Sequence, residues 1–141
     1  MANVCILGGG FIGRFYAESL IGRRSKDSVT VVYSRSEETV HRFAKDYAVK
    51  SSHTDMESAV KDSAAEIVII ALPNYLHEEA VMLCVKHKKA VLCTKPLGRT
   101  AEEALRMMEA CEKAGIFSGY LEDLCYTPKF LKSLKSVKDG A

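Results

Sequence analysis

The feature that most constrains the fold is a glycine-rich turn close to the N-terminus. An apolar run over residues 4–7 leads directly into Gly8-Gly9-Gly10-Phe11-Ile12-Gly13, which has the spacing G-x-G-x-x-G. Between a strand and a helix, Gly8 permits a sharp turn, Gly10 leaves room for a pyrophosphate, and Gly13 allows close packing of the helix on the strand. The helix N-terminus then offers free N–H groups and a favourable dipole to negative charge. The turn therefore predicts a dinucleotide-binding βαβ unit.

Strands and helices alternate along the rest of the sequence. Residues 29–33 and 66–72 are nearly continuous apolar runs, typical of parallel strands that are buried on both faces, and residues 90–93 and 116–120 are shorter strand candidates. A short edge strand is predicted within residues 50–54. This alternation predicts a Rossmann-type, doubly wound parallel α/β sheet in a single domain, with a ligand crevice at the carboxyl ends of its strands.

Helix boundaries are marked by capping residues. The predicted helices start at the glycine turn, after Ser36, near Asp55, at an Asn74 cap, at the capping box Thr100-Ala101-Glu102-Glu103, and at Thr127-Pro128. Phe11, Phe15, Ala17, Leu20 and Ile21 give the first helix a broad predicted apolar face, and this helix is predicted to end near Gly22-Arg23-Arg24. Gly115 is predicted to stop the helix that Thr100 opens.

Length and charge limit the classes of function. The chain has 141 residues, 48% of them hydrophobic, and a net charge of +2 that is scattered rather than clustered. These values predict one globular domain without a nucleic-acid or membrane surface. No apolar run approaches the roughly 20 residues of a membrane span, and no signal-peptide pattern precedes the first strand. We therefore predict a cytoplasmic protein.

The cysteines and histidines show no metal-ligand spacing. Five cysteines are present without a C-x-x-C pair, and Cys5, Cys84 and Cys93 lie in apolar segments, which predicts reduced, mostly buried thiols. A catalytic cysteine is a disfavoured alternative. His41, His53 and His87 have no motif around them and are predicted at the surface. No metal site is expected.

The end of the second predicted strand bears on cofactor choice. NAD-binding domains commonly place an acidic residue about 20 residues beyond the glycine turn, where it binds the ribose 2′-hydroxyl. Here that position is Ser34, followed by Arg35 and Ser36, and Glu37 and Glu38 are weaker candidates for a ribose contact. A hydroxyl and a guanidinium suit a 2′-phosphate. The sequence favours NADP over NAD.

Several motifs together resemble one family. The glycine turn, Pro73-Asn74-Tyr75-Leu76-His77, and Thr94-Lys95-Pro96-Leu97 with the following Thr100–Ala104 segment resemble the N-terminal half of the glucose-fructose oxidoreductase, inositol dehydrogenase and rhizopine catabolism (Gfo/Idh/MocA) family. The resemblance implies a nicotinamide-dependent oxidoreductase that acts on a sugar, a polyol or a related hydroxy compound.

The resemblance also implies roles for individual residues. Lys95 would bind and polarise the reacting oxygen, Pro96 would fix the turn that aims Lys95, and His77 would lie beside the nicotinamide ribose or the substrate, so Lys95 and His77 are the predicted catalytic residues. Glu122 and Tyr126 either touch the ligands or pack at a hinge. The predicted cofactor contacts are Gly8, Gly10, Phe11, Ile12, Gly13, Ser34, Arg35, Leu72, Pro73, Asn74, His77, Lys95 and Pro96.

Two departures from the family pattern matter. Thr94 stands where the family often has Glu, and the sequence ends where the family's second domain would begin. Residues 1–121 are the predicted nucleotide-binding domain, and residues 122–141 are a crossover segment and helix toward a substrate domain that is absent here, together with the family's catalytic histidine. The alternative function is a non-catalytic nucleotide-binding or regulatory module. A homo-oligomer is predicted.

Overall fold

The computed structural model describes residues 2–21 and 26–140, and within them the chain alternates strands and helices. The strands are β1 (Asn3–Leu7), β2 (Ser28–Tyr33), β3 (Ser51–His53), β4 (Ile67–Ile70), β5 (Ala90–Thr94) and β6 (Ser118–Leu121). The α-helices are α1 (Phe11–Ile21), α2 (Glu37–Asp46), α3 (Met56–Lys61), α4 (His77–Lys86), α5 (Ala101–Ala114) and α6 (Pro128–Lys138). Two 3₁₀ turns, Asn74–Leu76 and Asp123–Tyr126, precede α4 and α6.

The six strands form one parallel sheet in the order β3-β2-β1-β4-β5-β6. The strand order reverses at β1, which pairs with β2 on one side and β4 on the other. In such sheets the crevice outside the carboxyl ends of the strands at this switch point is where ligands bind. The predicted Rossmann-type fold is confirmed.

Helices cover both faces of the sheet, which explains why the central strands are apolar on both sides. The α1 and α2 helices pack on one face, where Ala17 and Phe43 meet Ile6 and Ile69. The α3, α4 and α5 helices pack on the opposite face, against a core that includes Val68. Alternate residues of β4 therefore enter two different cores, and the continuous hydrophobic run satisfies both.

Local boundaries differ from the sequence prediction at two strands and one helix start. Residues 66, 71 and 72 of the predicted strand lie outside β4. Residues 116–117 lie outside the last strand, which begins at Ser118. Asn74 does not cap a helix through its side chain but starts a 3₁₀ turn, and α4 begins at His77. The backbone of Pro73 is extended, so the chain is not yet helical at this residue. The 3₁₀ turn changes the chain direction before α4 begins. The predicted end of the first helix, Gly22-Arg23-Arg24, lies outside the described residues.

Two helices leave apolar side chains exposed. In α1 the buried residues are Gly13 and Ala17, whereas Phe11 is 82% exposed and Phe15 is half exposed, so the predicted broad apolar face is buried only in part. Every residue of α6 is exposed, and Phe130, Leu131, Leu134 and Val137 follow one side of that helix. None of the described helices is both long and apolar enough to cross a membrane.

A polar cluster attaches the edge strand β3 to the turn after α3. The Asp62 carboxylate accepts hydrogen bonds from Ser51 Oγ at 2.6 Å, from the Ala64 N–H at 2.8 Å and from His53 Nε2 at 2.9 Å. The Ser51 hydroxyl, the Ala64 N–H and the His53 ring hold the pKa of Asp62 at about 2, below the ordinary 3.8. The folded state therefore stabilises the charged form of Asp62, and this charged form in turn stabilises the fold.

We predict that Asp62→Asn lowers the free energy of unfolding at neutral pH by about 1–2 kcal/mol. Because the pKa of Asp62 is lower in the folded state, its stabilisation is complete above about pH 4 and is lost as the pH falls toward about 2. Urea unfolding at neutral pH and at about pH 3 measures the difference, which shrinks in acid. Asp139→Asn, which alters an exposed ion pair with Lys135, is the control. Equal effects of the two variants would contradict the prediction.

Candidate dinucleotide-binding site

The glycine turn has the geometry that its spacing predicts. Gly8 has φ +118°, and a Cβ there would lie 2.4 Å from the Ala71 carbonyl oxygen. A Cβ on Gly13 would lie 1.8 Å from the Gly8 carbonyl oxygen, so the start of α1 touches the turn through backbone alone. A Cβ on Gly10 would meet no atom within 4 Å. Two glycines are thus required by packing, and the third faces open space.

The start of α1 offers an uncompensated positive helix end. The first helical bond runs from the Arg14 N–H to the Gly10 carbonyl oxygen at 3.0 Å, which leaves the preceding N–H groups without helical partners. No acidic residue lies in the first turn of the helix. The Arg14 guanidinium itself is turned to α2, where it contacts Asp46 at 2.8 Å and lies over the rings of Phe43 and Tyr47. The N–H groups remain available to an anion.

Two cavities adjoin along the carboxyl edge of the sheet. The glycine cavity, of about 270 Å³, is lined by Gly8, Gly9, Gly10, Tyr33, Ser34, Arg35, Ser36, Ala71, Leu72, Pro73 and Leu76. The lysine cavity, of about 640 Å³, is lined by Phe11, Ile12, Phe15, Tyr16, Ala71, Leu72, Pro73, Asn74, Thr94, Lys95, Pro96, Leu121 and Asp123. Ala71, Leu72 and Pro73 line both, so the two cavities adjoin beside the glycine turn, and together they are called the cleft. Every predicted cofactor contact except Gly13 and His77 lines it.

Arg35 is the charged residue in the lining of the glycine cavity. It is exposed and makes no ion pair with the residues that the structure describes. The Ser36 hydroxyl accepts a hydrogen bond from the Thr39 N–H at 3.3 Å and thereby caps α2. The Ser34 side chain makes no such bond within the described residues, although its N–H donates to the His53 carbonyl. The side chains of Ser34 and Arg35 are therefore free to contact a ligand, and Ser36 has a structural role.

Lys95 lies at the carboxyl end of β5 and is exposed to the lysine cavity. Within the described residues its ammonium has no ion pair, and the Asn74 side chain has no hydrogen bond. The Lys95–Pro96 peptide bond is cis. Thr94 is buried at 6% exposure and lines the cavity, so the position where the resembled family often has Glu carries a hydroxyl here. This cavity therefore presents the Lys95 ammonium, the Asn74 amide, the hydroxyls of Thr94 and Tyr16 and the Asp123 carboxylate to a ligand.

The structure corrects the expected position of His77. Its ring is 1% exposed and lines neither cavity. Nε2 lies 2.9 Å from the Leu72 carbonyl oxygen, and Nδ1 lies 3.0 and 3.1 Å from the carbonyl oxygens of Pro96 and Leu97. A ring buried behind the cleft does not touch a ligand in it. His77 instead connects the loop after β4 to the loop after β5.

Several lining residues were not identified from the sequence. Phe15 and Tyr16 reach the cavity from α1, and Leu121 and Asp123 reach it from the end of β6. Phe15 lies four residues after Phe11, so both side chains follow one face of α1. The sequence predicts that this apolar face packs in the core, whereas the structure places it at the cavity. Of the two crossover candidates, the Glu122 carboxylate caps the second 3₁₀ turn and Tyr126 lines neither cavity.

Cysteine and metal chemistry have no support in the described residues. Cys5, Cys84, Cys93 and Cys111 are buried and free, and Cys125 is exposed. Burial raises the pKa of Cys84 and of Cys93 to about 12, so both thiols are neutral at physiological pH. The described residues contain no group of three or more side chains suited to holding a metal ion.

Residues 2–120 match the family described as the Gfo/Idh/MocA oxidoreductase family, NAD-binding Rossmann fold. The chain belongs to this family. It is similar to a scyllo-inositol 2-dehydrogenase (NADP(+)) of Bacillus subtilis, with 33% identity over 76% of this chain and 32% of that protein. It is also similar to a 2,7-anhydro-N-acetylneuraminate hydratase of Escherichia coli, with 28% identity over 99% of this chain and 37% of that protein.

Among solved structures, the fold is similar to GenD2 from gentamicin A biosynthesis in complex with NAD. The TM-score is 0.89 at 25% identity, over 98% of this chain and 39% of that one. The chain spans about a third of the length of the curated relatives that it matches. These matches show the Rossmann domain of a family that contains dehydrogenases.

The contrast between Gly10 and Gly13 gives a prediction. We expect Gly13→Ala to lower the free energy of unfolding by about 2 kcal/mol or more, because its Cβ would overlap the Gly8 carbonyl. We expect the free energy of unfolding of Gly10→Ala to lie within about 0.5 kcal/mol of the parent value. We expect this variant to bind dinucleotide about tenfold more weakly, because its Cβ enters the cleft. Urea unfolding and calorimetric titration measure the two effects. A Gly10→Ala variant that binds as tightly as the parent would contradict the assignment of the cleft.

Proposed function

We propose that this chain is the cofactor-binding domain of an NAD(P)-dependent oxidoreductase that acts on a sugar, polyol or related small hydroxy compound. The observation that carries the proposal is that two adjoining cavities at one sheet edge include the glycine turn and Lys95. A dinucleotide is long, and a site for it needs an anion-binding end and a reactive end at the same sheet edge. The glycine turn suits the first role and Lys95 the second, and family membership supports the redox class.

The residues fit such a cofactor on the evidence of their own geometry. The open space at Gly10 and the free N–H groups at the start of α1 suit a pyrophosphate. The lysine cavity, with Phe11, Ile12, Phe15 and Pro96, offers apolar walls around the polar groups of Asn74 and Lys95. The bound nicotinamide would supply hydride chemistry. The protein would orient the ring and exclude water from it.

Lys95 has the chemistry for a role at the substrate. Its ammonium lies at the mouth of the cavity without a partner among the described residues, so it is free to donate a hydrogen bond to a substrate oxygen. A positive charge there polarises a carbonyl or stabilises a developing alkoxide. We propose Lys95 as the catalytic residue of this domain and Thr94 as a hydroxyl contact beside it.

The alternative function remains a non-catalytic nucleotide-binding or regulatory module. One of the family relatives is a hydratase by name, so membership alone does not fix the net reaction. The unpaired ammonium at the reactive end of the cleft favours the catalytic proposal, because a module that only binds nucleotide has no need of it.

We propose NADP as the preferred cofactor. Arg35 and Ser34 line the glycine cavity without a side-chain partner in the described part of the chain, and none of its described lining residues is acidic. Glu37 and Glu38 lie in the first turn of α2, where Glu38 contacts Arg42 at 3.8 Å. The similar proteins differ in cofactor: the B. subtilis dehydrogenase is named for NADP(+), whereas GenD2 was solved in complex with NAD. The positive charge of Arg35 at the glycine cavity supports NADP.

We predict that Arg35→Ala weakens NADP binding about tenfold and leaves NAD binding within about twofold, because a guanidinium–phosphate contact is lost only with NADP. Calorimetric titration of both cofactors measures the ratio. Arg42→Ala is the matched control, because Arg42 lies on α2 and lines neither cavity. NAD binding that equals or exceeds NADP binding, and that Arg35→Ala does not change, would overturn the NADP proposal.

We predict that the 141-residue chain binds dinucleotide but turns over substrate at close to the background rate. None of the described histidines lines the cleft, so acid–base assistance from such a group is missing, and that assistance alone contributes about two to four orders of magnitude. Dinucleotide affinity and sugar-dependent NADP reduction are measured on the chain and on Lys95→Ala. Lys132→Ala, on exposed α6, is the control. Rapid turnover that survives Lys95→Ala would place the reactive site elsewhere.

The remaining assignments also stay proposals. Residues 1–121 form the proposed nucleotide-binding domain, and residues 122–141 form the proposed crossover to a substrate domain. The exposed apolar side of α6 is compatible with homo-oligomer formation. A cytoplasmic location is likewise proposed.

A further inference from the structure

The surroundings of His77 pose a problem of hydrogen-bond satisfaction. Both ring nitrogens face carbonyl oxygens: Nε2 faces that of Leu72, and Nδ1 faces those of Pro96 and Leu97. Carbonyl oxygens only accept hydrogen bonds. A neutral imidazole carries one N–H, so one of its nitrogens would point a lone pair at an oxygen about 3 Å away. The ring is 1% exposed, so water does not relieve that contact.

Each neutral tautomer leaves one ring nitrogen with its lone pair toward a carbonyl oxygen. With the proton on Nδ1, the lone pair of Nε2 faces Leu72. With the proton on Nε2, Nδ1 accepts at best from the Cys93 thiol at 3.4 Å and still faces two carbonyl oxygens. The doubly protonated ring donates to all of them, with the Nδ1 proton shared between Pro96 and Leu97. Hydrogen bonds from a charged donor are also roughly twice as strong as neutral ones.

We infer that His77 is a positioning residue, held as a buried imidazolium, that fastens the Pro73–Asn74 loop to the Lys95–Pro96 loop from behind the cleft. These loops carry the Asn74 amide and the Lys95 ammonium of the proposed site. The Leu72 carbonyl that faces the His77 ring lies two residues before Asn74, and the Pro96 carbonyl lies one residue after Lys95. The proton on His77 thereby sets the separation of the two loops. This inference rests on the proposed function only where cofactor binding is concerned.

The charged groups on neighbouring elements do not supply a counter-ion at the ring. On α4, Glu78 is paired with Arg106 of α5, and Glu79 is exposed. On the β5–α5 loop, Arg99 is paired with Glu103, which is the buried carboxylate of α5.

The remaining neighbours are apolar or face solvent. The β4 strand carries no ionisable side chain, β5 contributes the neutral Cys93 thiol, and Lys95 is exposed. Three carbonyl dipoles therefore stabilise the charge of the ring. A ring with one proton fewer would turn one of these attractive contacts into a repulsive one, so the doubly protonated ring holds the two loops together.

The direct test is the protonation of the ring in the unmodified chain. We expect long-range ¹H–¹⁵N correlation spectra of the ¹⁵N-labelled chain at pH 7 to show two protonated nitrogens for His77, assigned by their absence in His77→Asn. The three other histidines serve as internal references in the same spectra. A His77 ring with one unprotonated nitrogen at pH 7 would overturn the inference. This test needs neither ligand nor activity, so it succeeds or fails independently of the proposed function.

The positioning role is tested by hydrogen exchange and binding. We expect His77→Leu to raise amide exchange at residues 71–74 and 94–98 together, and to weaken dinucleotide binding about tenfold. His77→Gln, whose amide still donates, should restore part of both, and His41→Asn, at an exposed position of α2, should change neither. If His77→Leu fails to fold, the same two measurements on His77→Gln, compared with the parent, decide the point. Loops that exchange as slowly in these variants as in the parent, or unchanged dinucleotide affinity, would contradict the positioning role.

Discussion

The backbone contact between Gly13 and Gly8 is the constraint on which the site depends. It places the start of α1 against the end of β1 with no side chain between them. Because of that approach, the free N–H groups of the helix face the glycine cavity at the switch point of the sheet. Arg14 then holds α1 to α2 through Asp46 and the ring of Phe43. The anion-binding end of the cleft is therefore built from backbone and is fixed from behind by side chains.

The reactive end of the cleft is fixed in a different way. Its polar groups lie on loops, which need anchors if they are to hold a ligand in one geometry. His77 joins these loops from behind, and Arg99 and Glu103 tie the second loop to α5. The anchoring groups are buried or paired, whereas Asn74, Lys95 and Arg35 have no such partners in the described chain. This division separates residues that shape the cleft from residues that are free to contact a ligand.

Local patterns in the sequence predicted most of the fold. Apolar runs identified β2 and β4, and Ser36, Asp55 and Thr100 cap α2, α3 and α5 as expected. The convergence of the loops after β1, β2, β4 and β5 also followed from sequence, because parallel strands end at one edge of the sheet. These features depend on residues that are close together in the chain.

Features that depend on distant partners were not predicted. The inward position of His77 requires carbonyls 19 and 20 residues away, which no local pattern encodes. Phe15 appeared to be a core residue because helical periodicity does not distinguish a face toward the sheet from a face toward a cavity. Asp123 enters the cleft only because β6 lies beside β5 in the sheet. Sequence periodicity gave the elements, and tertiary packing determined which side chains face the ligand.

The central claim is that the glycine and lysine cavities are one dinucleotide site. Backbone amide chemical shifts recorded during an NADP titration test it most directly, because they report on each loop separately in a folded sample. The account predicts saturable changes, with a single dissociation constant, at residues 8–13, 34–36, 71–74 and 94–96. The apolar cavity of about 210 Å³ between α5 and the β5–β6 edge, lined by Met107 and Cys111 among others, should remain unchanged. Shifts confined to one of the two cleft cavities, or no shifts in a folded chain at millimolar NADP, would contradict the account.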